Sequence, residues 1–163
     1  MIGAAAMAVH GVSRSTRDVD LFTTAPECLV DAFWADLGAA GIEARVRRGD
    51  DDDPLAGVVR FTRDGEHPID LVVGKSAWQA SVAANARQAH IEGVAVPVAS
   101  RVELILLKLY AGGPQDAWDI EQLLAGPERK WLMTGVEAGL GALPSRCREQ
   151  WMRIRDAGGR GQS

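Results

Sequence analysis

Polar and apolar positions alternate most clearly over Arg17 to Thr24 (RDVDLFTT), with Val19 and Leu21 on one side and Asp18, Asp20 and Phe22 on the other. That is the period of a half-buried strand. Two further β-rich runs, Val58 to Arg63 and His67 to Val73, flank Asp64-Gly65, a pair suited to the positive φ values of a tight turn, and predict an antiparallel hairpin. Asp70 falls in the middle of the second run, inside Pro68-Ile69-Asp70-Leu71-Val72, where a carboxylate needs a partner. Val94 to Val98 predicts another strand, and its Pro97, lacking an N–H, suits an edge.

Helical periodicity takes over elsewhere. Ala4 to His10 is an Ala-rich helix stopped by Gly11, and Cys28 to Gly38 carries Leu29, Phe33, Trp34 and Leu37 at helical spacing. Trp78 to Ala89 predicts a helix. Ser100 and Glu103 have the spacing of a capping box, which predicts a helix to about Ala111, ended by Gly112-Gly113. Pro114 suits the first turn of the next helix, through about Leu124, with Gly126-Pro127 stopping it. Two more helices are predicted around Trp131 to Leu140 and Ser145 to Ala157, and Gly158 to Ser163 as a frayed tail. The acidic run Asp50 to Asp53, ahead of Pro54, is expected to be a solvated loop, with a calcium site as the lesser alternative. With strands first and helices last, the expected fold class is α+β, a small mixed or antiparallel sheet followed by a helical C-terminal half. At 163 residues a single domain is expected, with a sheet-bearing core over 1–98 and a helical part over 99–157.

A net charge of −4 argues against a broadly basic surface but leaves room for a local groove of Arg and Lys. Cys28 and Cys147 are the two cysteines, too few for a disulfide scaffold or a Cys-x-x-Cys metal site, and are expected to be reduced, buried thiols. The apolar start lacks a positive leading region and no stretch is long enough to span a bilayer, so a cytoplasmic protein without membrane partners is expected.

The candidate chemistry centres on acid. Asp18 and Asp20, two apart on a predicted strand, share a face roughly 6 to 7 Å apart. At an effective dielectric of about 20 they repel by roughly 2.5 kcal/mol, so a cation or an arginine must offset them. Pairing with Arg14 and Arg17 is the plain alternative to a metal. Adding Asp70 from a neighbouring strand makes an all-oxygen set suited to Mg²⁺ or Mn²⁺ and not to zinc. Gly3, a short helix, Gly11, Arg14 and Thr16 precede the acidic strand, so free amides at a helix start are placed to face the carboxylates and hold phosphate oxygens.

Residues Ile2 to Phe22, IGAAAMAVHGVSRSTRDVDLF, resemble the leading motif of the nucleotidyltransferase superfamily (DNA polymerase beta-like), in which a Gly-Gly or Gly-Ser turn precedes an Asp-x-Asp strand. The form with His-Gly, then Arg, Thr and Asp-x-Asp, is similar to the abortive-infection AbiEii-like toxin branch and its uncharacterised relatives. Val102 to Leu124, VELILLKLYAGGPQDAWDIEQLL, resembles the same relatives, and with Ile69-Asp70-Leu71 the three blocks stand in family order. The resemblance implies the nucleotidyltransferase fold, with Asp18 and Asp20 ligating catalytic metals and Asp70 holding the second metal and helping to activate the acceptor hydroxyl. It places Gly3 and Ala4 in the phosphate-binding turn, where Ala4 offers an amide but no hydroxyl. A strand ahead of the turn also belongs to that pattern, and Met1 and Ile2 are what precede Gly3 here. The implied reaction moves a nucleoside monophosphate from a nucleoside triphosphate to an RNA or protein hydroxyl. The implied setting is a toxin–antitoxin pair, with a cognate antitoxin or neighbouring gene product as partner. A catalytically weak or inactive binding module on the same fold is the alternative.

Three further residues carry two readings each. Arg14 either forks onto triphosphate oxygens or screens Asp18 and Asp20. Lys108, set among Leu104, Leu107 and Leu109, either contacts phosphate or snorkels over apolar surface, with Asp116 and Asp119 placed to orient it. His10 is a helix C-terminal residue before it is a base. The five tryptophans are spread over predicted helices and read as packing, with Trp78, close after Asp70, the one candidate for base stacking.

Overall fold

A computed structural model describes residues 1–12, 18–91 and 93–159. The chain is a mixed α+β protein that folds as two compact units, Met1–Ala99 and Ser100–Ser163.

The first unit is built on a four-stranded mixed sheet of β1 (Val19–Thr23), β2 (Glu43–Arg48), β3 (Leu55–Thr62) and β4 (Ile69–Gly74), in the order β1-β4-β3-β2. β1 runs parallel to β4, and the other two pairings are antiparallel. One sheet face is apolar, because Leu21, Val46, Val59, Phe61, Leu71 and Val73 alternate onto it. Buried Cys28, Val59, Leu71 and Val73 form its centre. Trp34 closes this core edge-on against Phe61 at 4.8 Å and donates from Nε1 to the Cys28 carbonyl at 2.8 Å. The short helix α1 (Gly3–Val9) packs beside β1, and Ile2 forms an antiparallel bridge to Asp20, donating to its carbonyl at 2.8 Å.

Several local expectations give way. The predicted helix at 28–38 is two 3₁₀ stretches, Pro26–Leu29 and Asp31–Ala40, broken by extended Val30. Short helices draw their stability from a buried face, and no residue of Asp31–Ala40 is buried. The predicted helix at 78–89 is a 3₁₀ turn, Ala77–Gln79, then α2 (Ala80–Ala84), after which β5 (Arg87–Ile91) pairs with β6 (Val94–Val98) in a two-stranded sheet. Backbone pairing there overrides the helix propensity of the alanines. β2 went unassigned because Glu43, Arg45 and Arg47 leave Ala44 and Val46 as its inward apolar residues. β4 starts at Ile69 and not at His67, so the hairpin loop is wider than a two-residue turn. Its Arg63–Glu66 turn, closed by Glu66 N–H to the Arg63 carbonyl at 3.1 Å, has Gly65 at φ +77.

The second unit is helical: α3 (Arg101–Ala111), α4 (Pro114–Leu123), α5 (Arg129–Gly139) and α6 (Ser145–Gly159). Its local signals are realised. The Ser100 hydroxyl accepts from the Glu103 N–H, Gly112 ends α3 at φ +68, and Pro114 opens α4. Leu104, Ile105, Leu109, Ile120, Leu132, Val136 and Trp151 are buried in this unit. No helix among the described residues is long and apolar enough to cross a membrane.

Candidate functional site

The second face of the four-stranded sheet holds the acidic residues. Asp70 sits on β4 directly before inward Leu71, and the parallel register sets it beside Asp20 of β1. Lateral partners in a sheet point to the same side, so Asp20 and Asp70 share a face. The antiparallel registers extend the row to Arg60 of β3, opposite Asp70, and to Arg45 of β2, opposite Arg60. The sequence Asp20, Asp70, Arg60, Arg45 thus crosses all four strands of this sheet.

Arg60 binds the acidic end together. Its Nε lies 3.1 Å from Asp70 Oδ1 and its Nη2 lies 3.9 Å from Asp18 Oδ2, which puts Asp18 on this face as well. Asp70 is more enclosed than Asp18 or Arg60, its side chain 22% exposed against 50% and 48%. Asp70 Oδ1 is shut off from solvent and makes no hydrogen bond of good geometry, so the Arg60 contact is an off-axis charge contact.

Gly3 closes the β1 side of the row. Its backbone lies against the Asp20 carboxylate, so that an added Cβ would stand 2.0 Å from Asp20 Oδ2. With φ at +67, glycine is required there twice over, for conformation and for space. Ala4 follows, buried, in the first turn of α1.

The remaining expected residues are placed as follows. Arg14 and Thr16 lie outside the described residues, as does Arg17. Lys108 belongs to the second unit, where Nζ pairs with Asp116 Oδ1 at 3.3 Å and with Oδ2 of the fully buried Asp119. Asp116 in turn caps α4 by accepting from the Gly113 N–H at 2.7 Å. His10 holds the Ala99 carbonyl through Nε2 at 2.8 Å, a hydrogen bond in which the ring nitrogen donates. Both cysteine thiols are free and buried, and burial pushes each of them up from its ordinary range.

Arg60 is the residue that sequence reasoning missed. With it come Arg45 and Arg47 of β2. Together with Val58 and Asp70, they line a cavity of about 290 Å³ on the same sheet face.

The donor set is all oxygen, the chemistry that suits Mg²⁺ or Mn²⁺. Among the described residues no group of three or more His, Cys, Asp or Glu side chains stands ready to hold an ion, and the Arg60 guanidinium lies between Asp18 and Asp70. Asp70 Oδ1, buried and without a hydrogen bond, is an oxygen of the kind a hard cation takes. No protein-family model matches the chain, and no curated protein is significantly similar to it.

Proposed function

We propose that this chain is a metal-dependent nucleotidyltransferase of the nucleotidyltransferase fold, moving a nucleoside monophosphate from a nucleoside triphosphate to a hydroxyl of RNA or protein. The observation that carries the reading is the sheet register: residues from separate stretches, Asp18, Asp20 and Asp70, meet on one face beside the Gly3 turn. In this reading Asp18, Asp20 and Asp70 hold Mg²⁺ or Mn²⁺. The bound metal would stabilise the attacking and leaving oxygens as the acceptor attacks the α-phosphorus and pyrophosphate departs. The chain's own work is positioning and charge balance. In this reading the amides of Gly3 and Ala4 would hold phosphate oxygens, and Asp70 would help to activate the acceptor hydroxyl. A role within a toxin–antitoxin pair, with a cognate antitoxin as partner, belongs to the same proposal.

A second reading keeps the fold as a nucleotide- or partner-binding module without turnover. Two observations favour it: Ala4 brings no hydroxyl to the turn, and Arg60 already pairs with Asp70 and approaches Asp18. Incubation with labelled nucleoside triphosphates, Mg²⁺ and cellular RNA or protein separates the two. Label transfer that Asp20→Ala abolishes is the expected result. Equal labelling by wild type and variant overturns the enzyme. Calorimetric nucleotide binding without turnover selects the module.

A further inference from the structure

The charges on the open sheet face are sorted. Asp18, Asp20 and Asp70 stand on β1 and β4, while Arg60, Arg45 and Arg47 stand on β3 and β2. On the β1 flank the Gly3 turn lies against the Asp20 carboxylate. The β3–β2 flank opens into the cavity of about 290 Å³ that reaches Asp70. An attacking group must approach in line with, and opposite to, the leaving pyrophosphate. If the triphosphate lies along the Gly3 side, the acceptor reaches Asp70 across Arg60 and β2.

We propose that Arg45 and Arg47, with Arg60, form a phosphodiester-binding track for a single-stranded RNA acceptor. This rests on the nucleotidyltransferase reading and selects RNA over a protein hydroxyl. Arg45 and Arg47 are two residues apart on one strand and so share a face, roughly 6 to 7 Å apart, which lets each meet a different phosphate. Arginine is the side chain whose planar fork matches phosphate oxygens. Arg47 enters no ion pair among the described residues. Arg45 is held by Glu43, Nε to Oε1 at 2.8 Å, but both side chains are mostly exposed, and such a pair yields to a phosphate at little cost. In the acidic loop after β2, the Asp50 carboxylate is turned into the loop's own backbone. Asp50 Oδ1 takes the Asp52 and Asp53 N–H groups at 3.0 and 3.1 Å, and Lys75 Nζ binds the Asp50 and Asp51 carbonyls. In a chain of net charge −4 this basicity is local, as a track beside an active site requires.

The test is fluorescence anisotropy of a fluorescein-labelled single-stranded RNA against the full chain, wild type and Arg45→Gln/Arg47→Gln, over a range of salt. Each phosphate contact on a single strand contributes about 0.7 to the log–log salt slope, so losing two flattens it by about 1.4. Between about 50 and 200 mM salt the double variant should therefore lose about sevenfold less of its affinity than wild type. Arg48→Gln sits on the same strand but the opposite face, where Arg48 pairs with Asp31 at 2.8 Å, and it should keep the wild-type slope. Matching far-UV circular dichroism of the three proteins establishes that β2 is intact. An unchanged slope in the double variant overturns the proposal, as does failure of wild type to bind RNA. Transfer of label to a protein without RNA binding also overturns it, and leaves the transferase standing with the other acceptor class. RNA binding with the expected slopes in a chain that transfers no label supports the track and overturns the transferase reading alone.

Discussion

Replacing Gly3 by alanine burdens the fold in two separable ways. The first is conformational: at φ +67 a residue with a Cβ meets its own carbonyl oxygen, at a cost of roughly 1–2 kcal/mol. The second is contact. The new Cβ would lie 2.0 Å from Asp20 Oδ2 and 2.8 Å from Asp20 Cγ, so either the carboxylate swings away or the first turn of α1 shifts. Overpacking of this kind costs about 1–3 kcal/mol. Gly11 isolates the first cost, since at φ +82 it has nothing within 4 Å of an added Cβ. Gly11→Ala should therefore lose about 1–2 kcal/mol, and Gly3→Ala about 2 kcal/mol more. At roughly 2–4 °C per kcal/mol for a chain of this length, the Gly3 variant should melt about 4–8 °C below the Gly11 variant. Thermal unfolding followed by far-UV circular dichroism measures this directly. Calorimetric Mn²⁺ titration of the folded proteins should show weaker binding by Gly3→Ala alone, because it alone displaces Asp20. Equal melting midpoints for the two variants would refute the close approach of Gly3 to the carboxylate.

Arg60→Met should tighten Mn²⁺ binding about three- to fivefold, since the half-exposed guanidinium that a cation must displace is worth at most about 1 kcal/mol. An unchanged affinity in calorimetry would show that Arg60 and the ion do not compete. In the second unit, Lys108→Met leaves the fully buried Asp119 without its cation and should cost about 3–5 kcal/mol in urea unfolding. Lys108→Met/Asp119→Leu should recover most of that, and equal instability of the two variants would mean that the pair is not the unit of stability.

What was legible in the sequence is what local chemistry decides. The Ser100 cap, Gly112 at the end of α3 and Pro114 at the start of α4 each meet a backbone need within a few residues, and each stands where expected. The period-two pattern around Asp18 and Asp20 likewise needs no knowledge of the rest of the chain. Asp31–Ala40 and Arg87–Ile91 were not legible, because their conformations are settled elsewhere. The first has no fully buried residue, and the second finds a pairing partner in β6. β2 was hidden by its own charges, three of its six residues being arginine.

Arg60 is the instructive omission, because a signal for it was present. A two-residue turn at Asp64-Gly65 sets Arg63 opposite Glu66 and hence Arg60 opposite Ile69, putting a guanidinium on the apolar face. Burying Val59 and Phe61 with Leu71 and Ile69 requires the register one residue over, which sets Val59 against Leu71 and Arg60 against Asp70. The hydrophobic pattern outranks the turn dipeptide, since a one-residue slip moves every side chain of a strand to the wrong face. The wider Arg63–Pro68 loop is the consequence of that choice. The same register that keeps the core dry also brings an arginine to the carboxylates, where the repulsion between Asp18 and Asp20 already called for a cation. Core packing and the charge balance of the candidate site are therefore set by a single alignment of β3 on β4.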